Sequence, residues 1–141
     1  MKQKVLLNVQ GRQTYGDQEP DIIQLTTEGT MEYRDGAWEI SYKESDLTGL
    51  EGVTTVFRVE PQKIVLTRSG KLNSQMVFQL GKSHDSLYQM EFGALLICIT
   101  TRHMFFDIVP EGGMIDLVYD IVIENSAAGV VDYHLDIRAI D

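Results

Sequence analysis

Two oppositely charged residues lie on predicted strand faces that are otherwise apolar, and they are the strongest candidates for chemistry in this sequence. Glu44 ends the alternating segment 38–44, and Arg68 ends the alternating segment 64–68. Because successive side chains of a strand point to opposite faces, both charges are predicted to point inward with their apolar neighbours. Arginine binds carboxylate or phosphate through its planar fork, so the pair could anchor the polar group of a ligand. The alternative is a structural pair, because an unpaired buried charge is very costly.

Aromatic residues on the predicted inward faces extend this candidate site. Together with Glu44 and Arg68, the predicted ligand-binding residues are Trp38, Tyr42, Tyr119 and Tyr133. A pocket lined by rings with a few polar tips is typical of small-molecule sites. Simple core filling, with the hydroxyl groups bonded at the rim, is the alternative, and the alternation does not distinguish between the two.

Other kinds of chemistry have little support in the sequence. It contains no Gly-x-Ser-x-Gly nucleophile motif and no glycine-rich phosphate or dinucleotide fingerprint. Cys98 is surrounded by apolar residues and is interpreted as a buried apolar side chain rather than an activated thiolate. The three histidines are scattered; His134, between Asp132 and Asp136, is assigned to a solvated face, with a surface metal site as the alternative. We predict no catalytic residue, no metal site and no cofactor.

The composition of the 141 residues limits the classes of partner that the protein can bind. Twelve basic residues against 21 acidic ones give a net charge of −9, which argues against nucleic acid and against an anionic membrane as partners. The single cysteine excludes a disulfide framework within the chain. No apolar stretch approaches the length of a transmembrane helix, and the first residues lack the pattern of a signal peptide. A cytoplasmic protein is expected.

Period-two alternation recurs along the chain, with turn residues at close spacing and no convincing helix. The predicted strands are 4–13, 22–33, 37–44, 53–60, 64–69, 72–80, 87–103, 104–109, 114–124 and 130–139. Segment 87–103 is interpreted as two strand halves bent at Gly93, after a polar turn over 81–86. Gly29 in mid-strand suggests a bulge or a sharp bend. Leu80 is expected to share the inward face of Met76 and Phe78.

Many short strands in hairpin order favour a single all-β domain spanning residues 1–141. Open edge strands would be an aggregation hazard, so a closed antiparallel barrel of about eight to ten strands is predicted. Such a barrel is either filled by side chains or holds one small ligand.

Several short motifs in fixed order resemble the YwiB-like (DUF1934) family of small bacterial proteins. The motifs are Tyr42-Lys43-Glu44, Gly52-Val53-Thr54-Thr55, Arg68-Ser69-Gly70, Phe92-Gly93, Thr100-Thr101, Ile115-Asp116-Leu117-Val118-Tyr119 and Tyr133-His134-Leu135. The resemblance covers nearly the whole chain. It implies a lipocalin-like, or calycin-like, barrel and implies no activity, because the family is uncharacterised.

Three hypotheses for the function follow. The first is a barrel that binds a small, partly apolar ligand, with Arg68 and Glu44 as polar anchors; a polar cavity of several hundred Å³ would favour it. The second is a structural or interaction module with a filled core, which forms a homodimer or partner contact through a strand edge or the loop 46–52; an apolar exterior patch would favour it. The third is an enzyme that uses the two interior charges as acid and base.

Overall fold

The computed structural model describes residues 2–14, 19–44, 51–90, 93–124 and 126–140. The regular elements in these ranges are ten strands. They are β1 (Gln3–Thr14), β2 (Asp21–Arg34), β3 (Ala37–Lys43), β4 (Val53–Glu60), β5 (Lys63–Gly70), β6 (Leu72–Phe78), β7 (Ser83–Met90), β8 (Gly93–Val109), β9 (Gly112–Ile123) and β10 (Ser126–Ala139). No helix in the described ranges is long and apolar enough to cross a membrane.

The ten strands form one closed barrel in which neighbours in sequence are neighbours in space. Every pair along the meander from β2 to β10 is antiparallel, and β1 closes the barrel by pairing with both β2 and β10. The predicted all-β, closed antiparallel barrel is confirmed, with ten strands. Closure removes the open edges that a meander would otherwise expose.

The core is built by the inward-facing half of each alternating strand. In β9 the buried apolar side chains are Ile115, Leu117, Tyr119 and Ile121, as the alternation predicts. One contiguous cluster of buried side chains reaches from Val5 in β1 to Ile137 in β10. Most of the barrel interior is therefore filled, because side chains from all sides meet on its axis.

The predicted bend at Gly93 is wrong. β7 ends at Met90 and β8 begins at Gly93, so the two halves are separate antiparallel strands that pair with each other. β8 continues to Val109 and absorbs the short strand predicted over 104–109. The polar turn predicted over 81–86 is also too long, since β7 begins at Ser83. Glycine and polar residues mark places where a strand can end, but they do not show which of them the chain uses.

Two further local expectations are corrected. The register of β2 runs through Gly29 without a bulge on either neighbouring strand. What requires glycine there is close approach, since a Cβ atom would overlap the main-chain oxygen of Ser41 and lie 2.8 Å from Leu7 Cδ1. Leu80 is 59% exposed rather than inward, because β6 ends at Phe78 and alternation no longer applies beyond the strand end.

Candidate functional site

A row of inward polar side chains crosses four neighbouring strands of the barrel at one level. Tyr42 in β3 is the register partner of Thr55 in β4, Thr55 is the partner of Arg68 in β5, and Arg68 is the partner of Ser74 in β6. Register partners on one face have Cβ atoms about 5 Å apart, so these side chains are direct neighbours. The hairpins therefore bring together residues spread over more than thirty positions of sequence.

Glu44 lies just beyond this row and accepts a hydrogen bond from Thr55. The hydroxyl of Thr55 donates a hydrogen bond of 2.5 Å to Glu44 Oε2. The Nε atom of Arg68 is 4.0 Å from the same carboxylate oxygen, which is within ion-pair range but beyond a hydrogen bond. The predicted pairing of the two charges thus exists, but its geometry is loose.

The nitrogen atoms of the Arg68 guanidinium group differ in their hydrogen bonding. Its Nη1 group donates to the hydroxyl of Tyr88 at 2.9 Å. Its Nε atom is buried without a hydrogen-bond partner in the described part of the chain. Burial lowers the pKa of the guanidinium, but neighbouring Tyr88 and Glu44 outweigh this effect and raise the pKa, so Arg68 is charged. A buried cationic donor is therefore left with an unfilled N–H position.

Two tyrosines face each other across the interior. The hydroxyl oxygens of Tyr42 and Tyr133 are 3.2 Å apart, and the ring of Tyr133 packs on Phe57 at a centroid distance of 5.6 Å. Burial and the nearby carboxylate of Glu44 raise the pKa of Tyr42 to about 12. Burial and the neighbouring Tyr42 raise the pKa of Tyr133 well above its usual value. Both hydroxyls are therefore uncharged at neutral pH.

These groups border a cavity of about 190 Å³ inside the barrel. Its polar lining comes from two groups of side chains: Tyr42, Glu44, Arg68, Tyr88, Tyr119 and Tyr133, and, from β1 and β2, Arg12, Gln13 and Asp21. Val9, Ile121 and Val131 supply an apolar wall. A cavity of roughly 150 Å³ can hold a benzene ring, so this one has room for a single substituted ring or a molecule of similar size.

Comparison with known proteins places this barrel in a family. The model of DUF1934, a domain of unknown function, matches residues 7–137. The chain belongs to the DUF1934 family. The uncharacterized beta-barrel protein YwiB of Bacillus subtilis (strain 168) is 28% identical over 105 residues, which cover 74% of this chain and 72% of YwiB.

The family resemblance inferred from the sequence is thereby confirmed. The crystal structure of the ywiB protein from Bacillus subtilis superimposes with a TM-score of 0.87 at 22% identity, covering 99% of this chain and 94% of that chain. At this level of identity the likeness shows the fold, a β-barrel. The function of the cavity depends on the residues that line it.

Five of the six predicted site residues line the cavity of this DUF1934 protein, and Trp38 does not belong to that lining. Trp38 shares a strand with Tyr42, but four residues of extended chain separate them by about 13 Å. Its ring instead packs edge-on against Tyr33, with centroids 5.0 Å apart. Alternation finds the correct face of a strand but does not show where along the barrel axis a residue lies.

Six polar residues of the site were missed by sequence reasoning: Arg12, Gln13 and Asp21 in the cavity lining, and Thr55, Ser74 and Tyr88. The last three each carried a signal in the sequence. Thr55 and Ser74 are small polar residues on apolar faces, and Tyr88 lies on a predicted inward face. The meeting of Tyr88 with Arg68 depends on how β7 approaches β5 across the barrel, which the sequence of either strand does not specify.

The remaining titratable candidates lie outside the cavity lining. His134 bonds Asp116 through Nδ1 at 2.5 Å and Asp136 through Nε2 at 3.0 Å. Partial burial lowers the pKa of His134, but the two carboxylates outweigh it and raise the pKa. Cys98 is half-buried, and a hydrogen bond with Asp85 raises the pKa of its thiol. The described residues contain no group of three or more His, Cys, Asp or Glu side chains arranged to hold a metal ion.

Proposed function

We propose that the interior of this barrel binds a small, partly apolar molecule, with Arg68 holding its polar group. The observation that carries the proposal is the buried Nε atom of Arg68, which has no hydrogen-bond partner among the described residues and belongs to a side chain that lines a cavity. An unsatisfied buried donor costs about 1–3 kcal/mol, and more when it is charged. An acceptor on a bound molecule would recover this free energy.

The rest of the lining supports the same function. The uncharged hydroxyls of Tyr42 and Tyr133 can donate to or accept from a ligand, while Ile121 and Val131 provide apolar contact. Glu44 contributes less directly, because Thr55 already donates to its carboxylate. The cavity is smaller than the several hundred Å³ expected of a polar ligand cavity, so the proposed ligand is compact.

The proposal also includes a lipocalin-like mode of binding, with the ligand inside the barrel, and a cytoplasmic location. The single cysteine, Cys98, is in keeping with a reducing compartment.

Native mass spectrometry of the protein purified from its own host tests the proposal. We expect a small additional mass that denaturation removes. The variant Arg68→Met should lose this mass, whereas Arg58→Met should keep it, because Arg58 pairs with Glu39 and Glu60 and does not line the cavity. A bare mass for the parent protein under gentle ionisation would contradict the proposal.

A second candidate function is a homodimer or interaction module that works through the outer surface. Leu87 and Leu96 are register partners on neighbouring strands, and they are 50% and 37% exposed. Exposed apolar patches mark interaction surfaces when they are contiguous. The loop 46–52, which the sequence also suggested as a contact, falls largely outside the described residues. The same mass spectra report a dimer directly, and a bare dimer mass would favour this second function over the first.

A further inference from the structure

The wall of the barrel is only partly closed between β6 and β7. These strands share two register pairs, Leu72 with Met90 and Asn73 with Gln89. On its other side β7 pairs with β8 along its whole length, from Ser83 to Met90. β7 therefore separates from β6 beyond Asn73, and a cleft of about 590 Å³ opens there.

Side chains replace the missing main-chain ladder across this cleft. The hydroxyl of Ser86 in β7 donates to the main-chain oxygen of Gln75 in β6 at 2.6 Å. The hydrogen bond between Arg68 and Tyr88 also joins β5 to β7 across this cleft. Arg68 lines both the cleft and the interior cavity, so it is the residue that the two spaces share.

Two unsatisfied polar atoms belong to neighbouring residues of β5 and β6 where the strands separate. Ser74 Oγ and Arg68 Nε are both buried without a hydrogen-bond partner in the described part of the chain. The side chain of Ser74 faces inward with a residue exposure of 8%, and Ser74 is the direct register partner of Arg68. Both atoms can donate a hydrogen bond, and Arg68 can only donate. The group that satisfies both is therefore an acceptor, such as a carbonyl oxygen.

The charges around this position favour an uncharged acceptor over an anion. Arg68 and Asp85 are the charged residues of the cleft lining, and Glu44 lies 4.0 Å from Arg68 on the interior side. Arg12 and Asp21, which also line the cavity, add one charge of each sign, so two positive charges are set against three negative ones. A carboxylate ligand would add a further negative charge to a partly buried site in a protein of net charge −9. A carbonyl accepts the same hydrogen bonds without that repulsion.

We propose that the opening between β6 and β7 is a subsite for the uncharged carbonyl group of a ligand, which accepts hydrogen bonds from Arg68 Nε and Ser74 Oγ while its apolar part occupies the cavity. This inference rests on the proposed function and specifies its ligand as an amide-like rather than an acidic molecule. It also places the polar end of that ligand at the side wall of the barrel rather than at its mouth.

Four small probe molecules test two separate questions: whether the site exists, and which class of ligand it binds. Benzamide, benzoate and benzamidine have the same ring and differ in charge, and toluene lacks the polar group. Titrations followed by chemical shifts of labelled protein at neutral pH give the four dissociation constants. We expect benzamide to bind about tenfold more tightly than benzoate, with the largest shifts at Arg68, Ser74 and Ile121. Toluene should shift the cavity residue Ile121 but leave the amide of Ser74 unmoved.

Two serine variants make the subsite itself testable. Ser74→Ala should weaken benzamide binding about tenfold without changing toluene binding. Ser69→Ala is the matched control, since Ser69 lines the outer cleft but is exposed, and it should change neither. Benzoate binding as tightly as benzamide would overturn the ligand class, and an unchanged benzamide affinity in Ser74→Ala would overturn the subsite, as expected if water alone satisfies these atoms. If all four probes leave the cavity residues unshifted, the proposed function itself fails.

Discussion

Thr55 and Arg68 are two of the neighbours of the Glu44 carboxylate, and they interact with it unequally. Thr55 donates to it at 2.5 Å, whereas Arg68 Nε lies 4.0 Å from the same carboxylate oxygen. A charge-assisted hydrogen bond contributes about 1.5–3 kcal/mol, while an ion pair without one depends on Coulomb attraction alone. Thr55 therefore contributes more to holding Glu44 than Arg68 does, which leaves Arg68 available for another acceptor.

Double-mutant cycles measured by urea denaturation test this ranking. The cycle Glu44→Gln with Thr55→Val should give a coupling free energy of about 2 kcal/mol, and the cycle Glu44→Gln with Arg68→Met about 1 kcal/mol. If the Arg68 cycle instead gives the larger coupling, with the double variant as stable as the parent, the two charges form a structural pair. That result would remove the main support for Arg68 as a ligand anchor.

A charged residue on an otherwise apolar strand face is a clear signal in the sequence, and it was enough to identify Glu44 and Arg68 as site residues. It was not enough to exclude Trp38, which lies on the predicted strand but about four residues away along the axis. It also missed Ser74, because a serine on a strand face is common and its importance comes from its position beside Arg68. Such neighbours are set by strand register and barrel closure, which depend on every strand at once.

At the scale of the strands, two glycines in the middle of neighbouring strands differ in how closely they are packed. In β2, a Cβ atom on Gly29 would overlap the main-chain oxygen of Ser41 and approach Leu7 Cδ1 to 2.8 Å. In β1, a Cβ atom on Gly11 would meet only Tyr133 Cδ2 at 4.0 Å, which is an ordinary contact. The two glycines thus form a matched pair with different surroundings.

We expect Gly29→Ala to destabilise the protein by about 1–3 kcal/mol, because the main chain of β3 must move away. Gly11→Ala should be neutral or stabilise by about 0.5 kcal/mol, because alanine loses less conformational entropy on folding. Thermal and urea denaturation of both variants measure the difference. Equal effects of the two substitutions would show that the close approach at Gly29 is relieved at little cost.

Strand faces were predicted well and strand ends less well, for a physical reason. The inward residues of β9 follow directly from period-two alternation, since one face of each strand must be apolar. The ends depend on competition between turns. Gly93 suits a bend within a strand as well as the start of one, and pairing of β7 with β8 decides in favour of the second.

At the scale of the whole molecule, the barrel is closed by the two ends of the chain. β1 pairs with β10 from Val5–Ala139 to Thr14–Val130, whereas β4 and β5 pair across a tight connection from Glu60–Lys63 onward. Bringing distant segments together costs more loop entropy than closing a hairpin. Local hairpins are therefore expected to form early in folding, and the closing contact of β1 with β10 late.

Stopped-flow kinetics on two leucine variants test this order. Leu66 in β5 and Leu135 in β10 are both almost fully buried, so replacing either by alanine should cost about 2–5 kcal/mol. Leu66→Ala should mainly slow folding, because its hairpin is formed in the transition state, and Leu135→Ala should mainly speed unfolding. The opposite assignment would mean that the two ends of the chain meet before the hairpins are consolidated.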